Sequence, residues 1–163
     1  MASARLLKEL KALQKAASED STKDDIYLYP KNESNILHWA GWIKGPPDTP
    51  YQGGDFQLNI LVPSGYPLHP PTVTFVTKVF HPNIHFKTGE ICLDLLKNQW
   101  SAVYTLQNVC RSIIALLAHP EADSPLNCDC GNLIRSGDIR GYNSMARMYT
   151  MLYASYPPSR RKA

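Results

Sequence analysis

The chain has 163 residues, 44% hydrophobic and 19% charged, with a formal net charge of +3 at pH 7. That length suits one domain able to bury about 68 to 70% of its unfolded surface, so a core needs neither disulfides nor a metal, and the composition excludes a disordered chain. No apolar run approaches the roughly 18 residues of a membrane span, and 17 basic against 14 acidic residues is too slight an excess to mark a nucleic-acid binder.

The first ten residues lack the apolar block and small-residue cleavage site of a secretory signal, which points away from secretion. Residues 3–17 show the period of an amphipathic helix. Leu6, Leu10, Leu13 and Ala17 share one face, with Arg5, Lys8, Lys11 and Lys15 on the other. Glu9 is the only acidic residue before Glu19, so the basic face reads either as ordinary solvated surface or as a dock for an acidic partner.

Four strands follow, at Ile26–Tyr29, Ile36–Ile43, Phe56–Val62 and Thr72–Val76. The third alternates Phe56, Leu58, Ile60 and Val62 against Gln57, Asn59 and Leu61, the period of a sheet with one buried face. Short connections rich in Gly, Pro, Asn and Ser predict an antiparallel meander, and Gly53-Gly54 predicts a tight turn or bulge.

Residues 81–105 hold no regular period for long, yet carry Ile84, Phe86, Ile91, Leu93, Leu95, Leu96 and Trp100. This is an anchored loop, and loops of that length inside compact domains are usually functional or disordered. Thr105 then caps a buried helix with Leu106, Val109, Cys110, Ile113, Ile114 and Leu117 on its apolar stripe and Pro120 beyond its end. A second loop spans 121–131. Leu133 and Ile134 mark a short helix, and Tyr142, Met145, Ala146, Tyr149 and Tyr153 a longer one whose stripe reads as core.

The sum is an α+β domain over residues 1–156: an N-terminal helix, a four-stranded antiparallel sheet, a central helix and C-terminal helices. Residues 157–163 form a basic tail expected to fray, without a Ser-Lys-Leu peroxisomal address.

Of the four cysteines, Cys110 falls in the apolar stripe and reads as core. Cys128 and Cys130 lack the second Cys or His pair of a zinc site, and no metal is expected. Cys92 stands in the long loop, nine residues after Asn83, and by residue type alone it is a nucleophile, a ligand or a packing residue. The Asn83 carboxamide is a donor that does not titrate, suited to an oxyanion, so the pair suggests acyl transfer. By itself His81-Pro82-Asn83 also reads as a plain turn. No base can be chosen from sequence among His38, His69, His81, His85 and His119.

Taken together, the basic first helix, Gly53-Gly54-Asp55-Phe56, Tyr66 to Pro71, His81-Pro82-Asn83, Gly89 to Asp94, Trp100-Ser101 and Ser124-Pro125-Leu126-Asn127 resemble the ubiquitin-conjugating enzymes. His85 to Glu90, Leu126 to Asp129 and Gly131 to Met145 are most similar to the peroxisomal, peroxin-type branch of that family.

The resemblance implies that Cys92 takes ubiquitin as a thioester from an activating enzyme and passes it on, with no cofactor on this chain because ATP is used upstream. Asn83 would hold the oxyanion or position the loop, and His81 and Pro82 would brace it. Arg5, Lys8 and Lys11, with Leu68 and the Ser101-Ala102 turn, would meet the activating enzyme and ligases. Many members carry Phe at the Leu68 position and Pro at the Ala102 position, so RING-type ligases are the better expectation than HECT-type. Many also carry an acidic residue at the Ser124 position, where it helps a lysine acceptor lose its proton. Ser124 offers only a hydroxyl, which suggests a cysteine acceptor on a peroxisomal import receptor. The location implied is cytoplasmic, at the peroxisomal membrane through an anchor partner. Rival readings are a general cytosolic conjugating enzyme, a non-catalytic ubiquitin-binding adaptor of the same fold, and an RNA-binding domain. The last would need interleaved basic and aromatic residues on one face.

Overall fold

A computed structural model describes residues 1–19 and 25–155, so the basic tail at 157–163 and Tyr156 before it lie outside the described residues. Helix α1 (Ala2–Glu19) leads into strands β1 (Ile26–Asn32), β2 (Asn35–Lys44), β3 (Asp55–Leu61) and β4 (Thr72–Phe75). The strands pair in sequence order, all antiparallel, which is the expected meander.

The alternation in β3 is realised as read. Phe56, Leu58 and Ile60 are fully buried, as is Trp39 on β2, whose indole N–H donates to the Ile36 carbonyl. Gly53 lies at φ +83 in the turn that precedes β3, a conformation that glycine adopts without Cβ strain.

Helix α2 (Leu106–Ala118) packs against β1 and β2, and its first N–H donates to Glu9 of α1. Its start is closed by a reciprocal capping box: the Thr105 side chain accepts from the Asn108 N–H, and the Asn108 side chain accepts from the Thr105 N–H. Leu106, Val109, Cys110, Ile113 and Leu117 are buried, so the predicted stripe is the centre of the core. Helices α3 (Cys128–Arg135) and α4 (Ile139–Tyr153) pack on each other, and the Asp55 N–H bonds to the Ala154 carbonyl, joining the end of α4 to the start of β3.

Two helical readings need correction. On α1, Ala17 is exposed, and Leu10 and Leu13 are only half-buried, while Ala2, Leu6 and Glu9 hold the buried face. The fully buried contacts thus sit in the first half of the helix, and Leu10 and Leu13 are only partly covered against the core beyond it. On α4, Tyr142 and Ala146 are core but Tyr153 is exposed, because Thr150 and Ala154 hold the buried face at that end of the helix.

The long loop contains a small hairpin. Ile84 and Ile91 form a bridge, the Cys92 N–H donates to the Asn83 carbonyl, and the His85 N–H donates to the Glu90 carbonyl. Its tip is hooked to β4, where Glu90 pairs with Thr74 and the Phe75 N–H donates to the Gly89 carbonyl. Gly89 sits at φ +74, and a Cβ there would lie 2.0 Å from the Phe75 carbonyl oxygen. Gly89→Ala is therefore expected to lower stability by about 2 kcal/mol or more, through both backbone strain and loss of the hook. A urea unfolding midpoint equal to that of the wild type would show that the hook carries no load.

Candidate active site

The alternation around the bridge decides which way the loop presents its side chains. Ile84 and Ile91 point inward and are buried, so the next residue, Cys92, points outward and is exposed. The nine-residue spacing between Asn83 and Cys92 is the length of the hairpin that their backbone hydrogen bond closes, 2.9 Å from the Cys92 nitrogen to the Asn83 oxygen.

Beneath this hairpin lies His81, fully buried. Its Nδ1 accepts the Asn83 N–H at 3.1 Å, so the ring proton is on Nε2, which donates to the Leu116 carbonyl on α2 at 2.8 Å. Burial pulls its pKa down to about 4, against a small opposing effect of the Leu116 carbonyl, and the ring stays neutral at physiological pH. A buried imidazole with both nitrogens engaged braces the turn; it has no free nitrogen with which to take a proton from Cys92.

Asn83 is locked as tightly. Its Nδ2 donates to the Glu121 carbonyl at 2.8 Å, and its Oδ1 accepts the Glu121 N–H at 2.9 Å. The Pro82 carbonyl accepts from the N–H groups of Leu126 and Asn127, at 2.8 and 3.2 Å. The segment 121–127 is thereby fastened at both ends to the His81-Pro82-Asn83 turn. Between the fasteners stands exposed Ser124 at φ +57, a left-handed conformation that costs a non-glycine residue roughly 1 kcal/mol and persists because its flanks are held.

Cys92, Asn83, Pro82, His81 and the Ser124 loop are thus joined in one hydrogen-bonded unit. Glu121 and Leu116 were missed by the sequence reading, and no local signal exists for them, because each contributes only backbone atoms. Among the other thiols, burial pushes Cys110 and Cys130 up to about 12, which keeps them protonated, while Cys128 is exposed at the start of α3. Among the described residues no three His, Cys, Asp or Glu side chains gather closely enough to hold a metal ion.

The sequence matches the family described as ubiquitin-conjugating enzyme over residues 5–150. The chain belongs to the ubiquitin-conjugating enzyme family. It is 68% identical over 150 residues to ubiquitin-conjugating enzyme E2 pex4 of Dictyostelium discoideum, covering 92% of this chain and 97% of that protein. It is 63% identical over 151 residues to protein PEROXIN-4 of Arabidopsis thaliana, covering 93% and 94%. The fold matches the crystal structure of the H. polymorpha ubiquitin-conjugating enzyme Pex4p in complex with the soluble domain of Pex22p, with a TM-score of 0.89 at 35% identity over 94% of this chain and 98% of that one.

The enzyme also gathers the residues of the expected partner surface. Leu68 is 65% exposed, and Ser101 and half-buried Ala102 stand in the turn before α2 beside Val103, 76% exposed and unnoticed in the sequence. Trp100 joins the two loops, its indole N–H donating to the Pro67 carbonyl at 2.9 Å. Lys8 and Lys11 are exposed as read. Arg5 is not a free surface cation. It is 26% exposed and paired with Glu9 at 2.9 Å, because the period places it on the flank of α1 beside the 101–104 turn.

The neutral imidazole has a consequence for stability. An unfolded histidine binds its proton near pH 6.5 and the folded His81 only near 4, so the unfolded state holds more protons in between. Stability present above pH 6.5 is lost as the pH falls toward 4, by up to about 3 kcal/mol from this group. An NMR titration should find the His81 ring unprotonated at about pH 5; a midpoint near 6 would mean that the ring reaches water.

Proposed function

We propose that Cys92 carries ubiquitin as a thioester. The observation that carries this reading is an exposed thiol whose backbone N–H is tied to Asn83, in a loop held by a neutral, fully engaged imidazole. The Cys92 sulfur attacks the carbonyl carbon of the C-terminal glycine of ubiquitin on the activating enzyme, and the activating enzyme's thiol leaves. One thioester replaces another, so the step is nearly isoenergetic and needs no ATP or cofactor on this chain. In the second step the acceptor's nucleophile attacks the same carbonyl, and the Cys92 thiol is released.

Asn83 suits the tetrahedral oxygen. One N–H of its carboxamide is given to Glu121, which fixes the plane of the group, and the other is the donor for developing negative charge. Among the described residues no base is hydrogen-bonded to the Cys92 thiol, which agrees with a carrier role in which the thioester must persist until an acceptor is positioned.

The acceptor proposed is the peroxisomal import receptor, and the reading of it rests on the two relatives named pex4 and PEROXIN-4. No described helix is long and apolar enough to cross a membrane, so we assign membrane recruitment to an anchor partner, in keeping with the solved relative's complex with Pex22p. RING-type ligases are the proposed third partner, with Lys8, Lys11, Leu68, Ser101 and Ala102 at the surface that meets them and the activating enzyme. Ser124 brings no carboxylate to the acceptor. A lysine starts at a pKa of about 10.4 and a cysteine at about 8.5, so a thiol acceptor needs less help.

A thioester assay with activating enzyme, ATP and ubiquitin tests the site. The wild type should form a thiol-sensitive adduct, Cys92→Ser a thiol-resistant ester, and Asn83→Ala an adduct that discharges about 100-fold more slowly. A thiol-sensitive adduct that survives in Cys92→Ser would move the site to the other exposed thiol, Cys128. The acceptor is tested separately by discharging loaded enzyme onto free cysteine and free lysine. Cysteine should be favoured, and a strong lysine preference would remove the proposed reason for Ser124.

A further inference from the structure

Glu9 is 7% exposed on α1, and its carboxylate takes donors from three parts of the chain. Oε1 accepts from the Arg5 Nε–H at 2.9 Å and from the Tyr66 hydroxyl, and Oε2 accepts the Leu106 N–H at the start of α2 at 2.9 Å. Burial and the Glu9 hydrogen bond raise the Tyr66 pKa well above its ordinary value, so the phenol keeps its proton and remains the donor. Arg5 in turn gives Nη1–H to the Ala102 carbonyl at 3.0 Å and Nη2–H to the Tyr104 carbonyl at 2.9 Å, with its guanidinium 5.8 Å from the centre of the Tyr66 ring. The 101–104 turn is closed by the Tyr104 N–H on the Ser101 carbonyl. On the other side, Tyr66 and Tyr104 flank the Trp100 ring, which bonds to Pro67.

The planar fork of an arginine can grip two carbonyls whose spacing is set by a turn; a lysine, with one point charge, cannot. What this network carries on its outer side is Leu68, two residues after Tyr66, and Val103, between the two gripped carbonyls, both well exposed. The grip therefore fixes where two apolar side chains from separate loops stand relative to α1.

We propose that Arg5 and Glu9 are positioning residues for ubiquitin loading: they hold the Leu68 loop and the Ser101–Val103 turn as one platform for the activating enzyme, with Arg5 acting inward. This rests on the reading of the chain as a carrier charged by that enzyme, and it reassigns Arg5 from a partner contact to a support. Glu9 is the centre of the support, since it orients the Arg5 fork, the Tyr66 loop and the first N–H of α2 at once. Removing one partner leaves buried polar groups without theirs, and loss of a hydrogen bond to a charged group costs enough to let the turn open locally.

The test compares wild type, Arg5→Ala, Arg5→Lys and Glu9→Gln by amide hydrogen exchange of the uncharged protein and by steady-state charging. The Tyr104 and Leu106 amides should exchange about tenfold faster in the Arg5 variants, while the Cys92 amide, bonded to Asn83, exchanges at the wild-type rate. The KM for loading should rise about tenfold with kcat unchanged, and Arg5→Lys should fail to restore it. Glu9→Gln, which keeps the acceptor oxygen but not the charge, should fall between. Wild-type exchange in the turn, or full rescue by Arg5→Lys, overturns the proposal, because charge at the surface would then be what the partner reads. If the wild type itself is never charged, the carrier reading fails, and the exchange rates still decide whether Arg5 and Glu9 hold the turn.

Discussion

A neutral imidazole with both nitrogens occupied is the constraint on which the rest of the site depends. His81 joins the last turns of α2 to the Asn83 backbone, and Asn83 joins both the Cys92 N–H and the Glu121 backbone. Each link is a hydrogen bond to a main-chain atom, so the outward direction of Cys92 follows from backbone geometry and not from a side chain placed beside the sulfur. Protonating the ring would turn the acceptor Nδ1 into a donor facing the Asn83 N–H, which is why the apolar burial that keeps it neutral belongs to the architecture of the site.

A second polar centre, Glu9, does for the 66–68 and 101–104 loops what His81 does for the hairpin. A buried carboxylate is costly unless its oxygens are matched by donors. Here Arg5, Tyr66 and Leu106 supply them, and each donor belongs to a different element. Both centres are single side chains that tie segments distant in sequence to a helix. Between them the core is apolar, from Trp39 and Phe56 on the sheet to Leu106, Ile113 and Leu117 on α2. The sheet and helix α2 therefore act as a rigid base, and the two loops that face solvent are held to it at a few polar points. Such points fix orientation in a way that nondirectional burial does not.

Much of this was legible in residue order. The period-2 alternation of β3, the turn residues between strands, and the Thr105 cap with Pro120 after α2 are local signals, and local signals determine elements. The family motifs placed Cys92 and Asn83 together, and the deciding feature, Ile91 inward and Cys92 outward, is itself an alternation that could be read once a bridge to Ile84 was assumed. Glu9 also left a trace. It is an acidic residue at the helical period of Ala2, Leu6 and Leu13, on the face that packs, and a charge in that place asks for a partner.

What the chain could not disclose was the identity of those partners. Arg5 looked like one of four surface cations because helical period places a residue on a face but says nothing of what lies across from its flank; the carbonyls it grips are 97 and 99 residues away. Asn83 looked like an oxyanion donor or a turn residue, and only the fold brought Glu121, 38 residues on, against its carboxamide. Residue order was enough for the elements and the family, since these depend on neighbours a few residues apart. Tertiary structure alone decided which polar side chains turn inward, because that depends on unpaired backbone groups that become neighbours only when the sheet, α1 and α2 have closed on one another.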